Sequence, residues 1–394
     1  MIKNYDVIII GGGITGLGTA RDCALRGLKV LLVERRDLAD GATGRNHGLL
    51  HSGARYAVTD RESASECIRE NAILRRVAAN CVEQTEGLFI TLPEDDLAYQ
   101  DNFVRCCREA GIAAFCYWHY WMGGGKRLLN DPLDEVVRLG EPDFPFCLAW
   151  ANHPWMRKNW NAKVSRFCQE MLIDQTYPGQ QDVDDHFYTM LPAFRDKRYY
   201  RVDGRLLFLI YDPLALPEPE YFMQRWQELA QKEGLPGFFF IAQGDSKMID
   251  NPIYDKFDAV NFECIRDFFN ESRLRRIAAY TLRHPITRAY KDILRAYDLQ
   301  TAARPNVCPT LYPNWDTSPR RGYIATVFHN STPELFEKHI RQVINATTNP
   351  HKLLFLKSWN EWGEGNYVEP DLLFGHGWLD AIARAQEPSH NEEG

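Results

Sequence analysis

The sequence predicts an α/β chain in two parts: an N-terminal partial Rossmann-like βαβ segment, then a TIM-type (β/α) barrel lacking its first strand. Three observations predict this. An apolar run, Asp6-Val7-Ile8-Ile9-Ile10, breaks into Gly11-Gly12-Gly13-Ile14-Thr15-Gly16, and a helical pattern and a second apolar run follow. From Ile112 aromatics become dense, and strand and helix patterns alternate over about 280 residues. The last of these strands runs into Trp359-Asn360-Glu361-Trp362-Gly363-Glu364-Gly365, a carboxylate pair between aromatics.

The elements follow in order. Residues 5–10 form a strand that ends in glycines. Residues 14–27 form a helix, with Ala20, Cys23 and Ala24 at helical spacing and Gly27 as the stop. Lys29-Val30-Leu31-Leu32-Val33-Glu34 is a second strand with an acidic end. Residues 60–81 are helical, with Cys67, Ile68, Ile73, Leu74 and Val77 as the apolar stripe; Phe89-Ile90-Thr91-Leu92 is a short strand and 99–110 another helix. Seven barrel strands are expected at 112–118, 145–150, 206–211, 237–242, 258–263, 307–312 and 352–359. Helices lie between most of them, including 218–233 and 332–347. The latter opens on Ser331-Thr332-Pro333-Glu334, a capping-box spacing with proline in the first turn. A TIM-type barrel needs eight strands. The domains expected are thus 1–111 and 112–386, with a disordered tail at 387–394.

Composition narrows the function. Of 394 residues, 45% are hydrophobic and 25% charged, which is the globular norm. The net charge of -7 argues against nucleic-acid binding, which needs a basic footprint. The ten cysteines include no C-x-x-C pair, so zinc and thioredoxin readings fail and no metal site is expected. Buried thiols in a reducing cytoplasm are the simpler reading. Met1-Ile2-Lys3-Asn4 leads into a strand with no signal-peptide pattern, and no apolar run approaches the roughly 20 residues of a membrane span. The stretch 266–304 carries nine Lys/Arg against four Asp/Glu. It reads as a solvated helical insertion, or as a peripheral surface for anionic lipid or a phosphorylated glycan carrier.

The first site is Gly11-x-Gly13-x-x-Gly16 between strand and helix. Glycine there allows a tight turn and close approach of backbone to a pyrophosphate, and the helix N-terminus presents free N–H groups. Glu34 stands where a carboxylate can accept from a ribose hydroxyl. The run Gly41-Ala42-Thr43-Gly44-Arg45-Asn46-His47-Gly48-Leu49-Leu50-His51-Ser52-Gly53-Ala54-Arg55-Tyr56 follows, and later Gly87-Leu88-Phe89-Ile90-Thr91-Leu92-Pro93-Glu94-Asp95-Asp96. Over residues 1–112 the sequence closely resembles the large-subunit family of anaerobic glycerol-3-phosphate dehydrogenase, an FAD enzyme. That resemblance implies FAD lined by Gly11, Gly13, Gly16, Glu34, Thr43 and Asn46. The family domain continues for hundreds of residues beyond this segment, so flavin affinity is expected to be weak or lost.

The second site lies at the strand ends, where barrel chemistry sits. They read Tyr117-Trp118-His119-Tyr120-Trp121, then Trp150-Ala151-Asn152-His153-Pro154-Trp155, then Tyr211, Gln243, Glu263 and Asn314-Trp315-Asp316. Aromatics stack on apolar sugar faces while amides and carboxylates hold hydroxyls. Glu361 and Glu364, three apart on a turn, suit paired acid/base work at a glycosidic bond. An oligosaccharide or polysaccharide substrate is therefore expected, contacted by Tyr117, His119, Trp121, Trp150, Asn152, Trp155, Tyr211, Glu263, Trp315, Asp316, Asn360 and Trp362.

From Gly111 to about Ala385 the chain resembles the WbsX-like polysaccharide-biosynthesis family, related to glycoside hydrolase family 99. The motifs are Phe115-Cys116-Tyr117-Trp118-His119-Tyr120-Trp121, Phe144–Asn152, Arg201-Val202-Asp203-Gly204, Asp316–Gly322 and Asn360–Pro370. The resemblance implies a retaining, endo-mannosidase-like enzyme with Glu361 as base on the substrate's 2-hydroxyl and Glu364 as acid/base on the leaving oxygen. WbsX-like members are often labelled glycosyltransferases; hydrolysis or transglycosylation suits these residues better than transfer from a nucleotide sugar. The family's opening strand is missing before Ile112. Both resemblances break near Ala110-Gly111-Ile112, as in a chimera. The alternatives are an FAD-dependent oxidoreductase with a foreign C-terminus, and an inactive fusion of two truncated domains.

Overall fold

The computed structural model describes residues 4–41, 43, 60–77, 98–156, 170–245, 248–264, 273–322, 325–371 and 373–387. Asn46, the 87–96 run and residues 266–272 lie outside them, as does the tail from 388. The chain divides into two compact units, 1–95 and 96–394.

The first unit contains β1 (Val7–Ile10), α1 (Ile14–Leu25) and β2 (Val30–Val33). The two strands pair in parallel from Val7↔Val30 to Ile10↔Val33. Lys29 anchors the entry: its N–H donates to the Asp6 carboxylate at 2.7 Å, and its carbonyl accepts from Asp6 N–H at 2.8 Å. The second helix, α2 (Arg61–Val77), has no buried residue, nor has α1. Ile8 and Ile10 are 62% and 88% exposed. These strands have the apolar character of a sheet covered on both faces; among the described residues Val7 and Ile9 are half-buried while Ile8 and Ile10 stay exposed.

The second unit opens with α3 (Ala98–Glu109), and seven parallel strands follow. They are β3 (Phe115–Trp121), β4 (Phe146–Trp150), β5 (Arg205–Ile210), β6 (Phe238–Asp245), β7 (Ala259–Glu263), β8 (Val307–Leu311) and β9 (Phe355–Leu356). Each pairs with the next in chain order, the topology of a (β/α) barrel. Among the described residues β9 does not pair with β3, so the sheet is open at one seam. The end of β3 is covered by the antiparallel Arg127–Leu128 strand. α3 contributes Phe103, whose ring stacks on Phe115 of β3 at 5.0 Å and meets Trp359, just beyond β9, edge-on at 4.7 Å.

This placement moves the expected break at 111/112: the helix read as the end of the first part is packed into the second. Gln386 donates to the Ala110 carbonyl at 2.8 Å, and Arg108 to that of Asp143 at 2.6 Å.

The core lies between the strands and the outer helices α4 (Gln180–Phe194), α5 (Pro219–Lys232), α6 (Pro333–Ala346) and α7 (Gly377–Gln386). Phe194, Phe208, Trp226 and Phe238 are fully buried and pack ring on ring at 4.8–6.3 Å. Thr332, one residue after the serine of the expected cap, accepts from Leu335 N–H at 3.3 Å. Much of the basic stretch is not a solvated insertion: Tyr290 and Tyr297 are buried, and their hydroxyls donate to the carbonyls of Tyr312 and Thr310. No described helix is long and apolar enough to cross a membrane.

Truncating Trp226 or Phe208 to alanine should cost about 3–5 kcal/mol of stability, because each leaves a cavity in a closed aromatic core. Ile10→Ala should shift the same denaturant midpoint negligibly. Equal losses from all three would show that the core is not confined to the second unit.

Candidate functional site: the open ends of the barrel strands

Successive side chains of a strand point to opposite faces, and this decides which strand-end residues reach the barrel mouth. Odd positions of β3 face the helices. His119 lies 2.7 Å from His186 of α4, Nε2 to Nε2. Trp121 stacks on His186 at 4.9 Å and donates to Asp182. Trp150 stacks on Phe222 of α5 and donates to the Trp121 carbonyl at 2.9 Å. Tyr117 packs against Phe146 on the same side. The four residues expected to touch sugar are therefore scaffold beneath the mouth. Asn152, also expected to touch sugar, is fully buried; its amide makes two 2.7 Å bonds to the backbone of Asp212, fixing the residue after Tyr211.

The opposite face carries Trp118, Tyr211, Gln243, Glu263 and Lys357. Trp118 and Tyr211 are 45% and 37% exposed and meet edge-on at 5.5 Å. His153 packs on Tyr211 at 4.9 Å, and Trp155 on Tyr120 at 5.4 Å. Glu263 accepts from Lys357 at 2.8 Å and from Gln243 at 3.4 Å. The Lys357 ammonium also lies 5.9 Å from the Tyr312 ring and 5.7 Å from Trp315. Burial works against its charge, but Glu263 first and then Tyr211 and Glu364 hold its pKa above the ordinary lysine value. Sequence reasoning does not single out Lys357, which lies just past the end of β9.

Glu361 and Glu364 bracket a 3-10 turn, Trp362–Glu364, between the short antiparallel strands Asn360–Glu361 and Asn366–Tyr367. Glu361 stands at the start of that turn and Glu364 closes it, three positions on. The turn is pinned from several directions. Asp316 N–H donates to the Glu364 carbonyl at 2.7 Å, and Asn314 accepts from Tyr367 N–H at 2.9 Å. Ser358 accepts from Glu361 N–H and donates to the Asn366 carbonyl. A Cβ on Gly365, at φ +54°, would stand 2.6 Å from the Asp316 side chain. Trp362 stacks on Tyr367 at 3.6 Å and donates to Glu369 at 2.7 Å. Asn314, Asp316 and Ser358 thus hold the acidic turn and Asn360 pairs with Tyr367 at its base, while Trp362 stays 45% exposed and Trp315 packs on Tyr312 and Phe328.

One D-x-D triplet, Asp182-Val183-Asp184, lies on α4, and the scaffold uses both of its carboxylates. Asp182 accepts from Trp121 and Gly124 N–H, and Asp184 pairs with Arg225 at 2.7 Å.

In the first unit the glycine loop has the shape a dinucleotide needs. Gly11 sits at φ +109°, and a Cβ on Gly16 would fall 1.9 Å from the Gly11 carbonyl. Glu34 accepts from the N–H groups of Gly12, Arg35 and Arg36, chiefly Gly12, which lowers its pKa. Thr43 accepts from Ile14 N–H at 3.0 Å. These residues fit the diphosphate half of FAD. Among the described residues no His, Cys, Asp and Glu cluster is arranged to hold a metal ion.

Residues 92–382 match the family model described as Glycosyltransferase WbsX. The chain belongs to that family. Residues 6–119 match the FAD dependent oxidoreductase model, so the two matches overlap across α3 and the start of β3. The N-terminal part is 76% identical over 112 residues to the anaerobic glycerol-3-phosphate dehydrogenase of Escherichia coli (strain K12), covering 28% of this chain and 21% of that one. The barrel is 28% identical over 295 residues to the protein WxcX of Xanthomonas campestris pv. campestris (strain B100), covering 71% of this chain and 40% of the relative. The chain thus spans about a fifth and two fifths of these relatives' lengths. A solved glycoside hydrolase-like protein superposes with a TM-score of 0.51 at 14% identity, covering 76% of this chain and 88% of its own, which establishes the shared fold.

The buried histidines give this unit an acid limit. Burial holds His119 and His339 neutral, with pKa values lowered to about 3, and holds His186 well below the ordinary value. Unfolding restores ordinary proton affinity, so the unfolded chain binds more protons between about pH 3 and 6.5. The stabilisation is complete above about pH 6.5 and drains as pH falls, by up to about 1.4 kcal/mol per pH unit for each histidine. Denaturant midpoints at pH 7 and pH 5 should show the loss, and His339→Phe should flatten the slope by one histidine's share.

Proposed function

We propose that the barrel is a glycan-processing enzyme, a glycoside hydrolase or transglycosylase of polysaccharide or O-antigen metabolism, with Glu361 and Glu364 as its catalytic pair. The observation that carries this is the acidic turn, pinned by Asn314, Asp316 and Ser358 beside an aromatic mouth. Rigid support is what paired carboxylates need, since acid/base catalysis requires both groups at hydrogen-bonding distance from the reacting atoms. Trp118, Tyr211 and Trp362 offer exposed faces for a sugar ring. Glu263, Gln243 and Lys357 offer acceptors and donors for its hydroxyls.

The short spacing of the pair favours retention. For a mannose-containing chain, Glu361 takes the 2-hydroxyl proton as that oxygen bonds to the anomeric carbon. The glycosidic bond breaks, and the leaving oxygen takes a proton from Glu364. Water or a sugar hydroxyl then opens the anhydrosugar, giving its proton to Glu364, while O2 recovers its proton from Glu361. Glu361→Gln and Glu364→Gln should each lower turnover of α-linked manno-oligosaccharides by about 10²–10⁴-fold with the fold intact. Wild-type turnover in either variant would end this assignment.

A second reading rests on the glycine loop of the first unit. A flavin held there would supply hydride chemistry, with Gly11, Gly13 and Gly16 at the diphosphate, Glu34 at a ribose hydroxyl and Thr43 nearby; Asn46, expected with them, lies outside the described residues. The sheet that carries the loop leaves Ile8 and Ile10 open, so weak affinity is expected. Purified protein should show at most a trace flavin spectrum. A near-stoichiometric spectrum that Gly16→Ala abolishes would return oxidoreductase chemistry to the front.

A further inference from the structure

We propose that Phe103, on the helix shared by both family matches, is a positioning residue for the acidic turn of the barrel; this rests on the glycan-processing reading of that turn. The route is short. The Phe103 ring stacks on Phe115 at 5.0 Å with an 11° interplanar angle, and stands edge-on to Trp359 at 4.7 Å and 90°. Phe115 and Trp359 also meet edge-on, at 5.7 Å. The three rings form a closed triangle across the open seam, backed by Val104, Cys107 and Phe144. Edge-to-face and offset pairs hold ring orientation as well as burying area. The triangle therefore fixes the indole of Trp359, not merely its depth.

Trp359 is in turn the root of the loop that carries the glutamates. Its carbonyl accepts from both Val368 N–H and Glu369 N–H at 3.0 Å, closing the loop at its base. Glu369 then accepts from the indole of Trp362, between the two glutamates. On the other strand of the loop, Ser358 holds Glu361 N–H. A shift of the Trp359 backbone moves both arms of the turn. No paired eighth strand restrains Trp359 from the seam side among the described residues; α3 does so with one ring. The helix is itself tied at its C-terminal end: Ile112 N–H donates to the Cys107 carbonyl at 3.0 Å, and Gln386 donates to the Ala110 carbonyl. The helix Ala98–Glu109, which lies where the two family matches overlap, thus supports the acidic turn of the barrel.

The test is residue-resolved hydrogen exchange on the full chain, comparing wild type with Phe103→Ala and Phe103→Leu. In Phe103→Ala the amides of Val368 and Glu369 should exchange about tenfold or more faster, while Leu207 and Phe208 in β5 stay protected. Phe103→Leu, which keeps apolar bulk but loses the ring edges, should fall between. Turnover of α-linked manno-oligosaccharides should drop in the same order, with kcat falling more than KM rises. Unchanged exchange at Val368 and Glu369, or faster exchange everywhere alike, would overturn the proposal, since the first denies coupling and the second makes Phe103 an ordinary stability residue. If local exchange responds as expected but wild-type protein cleaves no manno-oligosaccharide, the positioning role stands and only the substrate assignment falls.

Discussion

An open sheet edge is a liability, because each unpaired strand presents a row of N–H and C=O groups to any other chain. Everything in the second unit answers to that constraint. Among the described residues seven parallel strands pair in order, with β3 and β9 at the two ends of the parallel run. A short antiparallel strand covers the end of one edge, and the aromatic side of α3 lies across the seam. The part of the covering that α3 supplies is apolar: ring packing stands at the seam where ladder bonds would be. That substitution brings Trp359 under the control of a helix, and through Trp359 the turn that bears Glu361 and Glu364.

The same constraint shows why the first unit is different in kind. Among the described residues one face of its two strands is only half-buried and the other is open, with Ile8 and Ile10 on it, and Ile14 is exposed as well. Local polar bonds hold it: Asp6 to Lys29, Glu34 to Gly12 and Thr43 to Ile14. Such bonds contribute about 1 kcal/mol each, and they close no cavity. Sequence identity to an FAD enzyme is high in this part and structural support is low. Identity fixes what the loop could bind; burial fixes how firmly it is held.

Much of this was legible in the sequence. All seven barrel strands, the βαβ start and the paired-glutamate turn follow from apolar runs, glycines and the N-E-W-x-E spacing. What was misread follows from one rule. A strand-end motif such as Tyr117-Trp118-His119-Tyr120-Trp121 has only half its side chains on each face, and a one-residue change of phase swaps the sets. Tyr117, His119 and Trp121 looked like sugar ligands, yet they face α4 and the core, while Trp118 and Tyr120 face the mouth. Nothing within the motif itself fixes the phase. The clue was long-range: His186 and Asp182 on α4 are the polar partners that buried His119 and Trp121 require. The domain break was misplaced for a related reason. A helix at 98–109 suits either half by pattern, and only its partners, Phe144, Trp359 and Gln386, decide the matter.

The two candidate sites can be ranked by where their polar groups point. In the glycine loop the acceptors have turned inward: Glu34 takes three backbone N–H groups, Gly12 among them, and Thr43 takes that of Ile14. A dinucleotide would have to displace part of that set and would regain only bonds of similar strength. At the barrel mouth the order is reversed. These bonds belong to the backbone that carries the site: Asn152 to Asp212, Asp316 to the Glu364 carbonyl and Ser358 to Glu361 N–H. The aromatic faces of Trp118, Tyr211 and Trp362 remain open to solvent. Binding there removes apolar area from water without first breaking the scaffold, which is the energetic condition for a preorganised site.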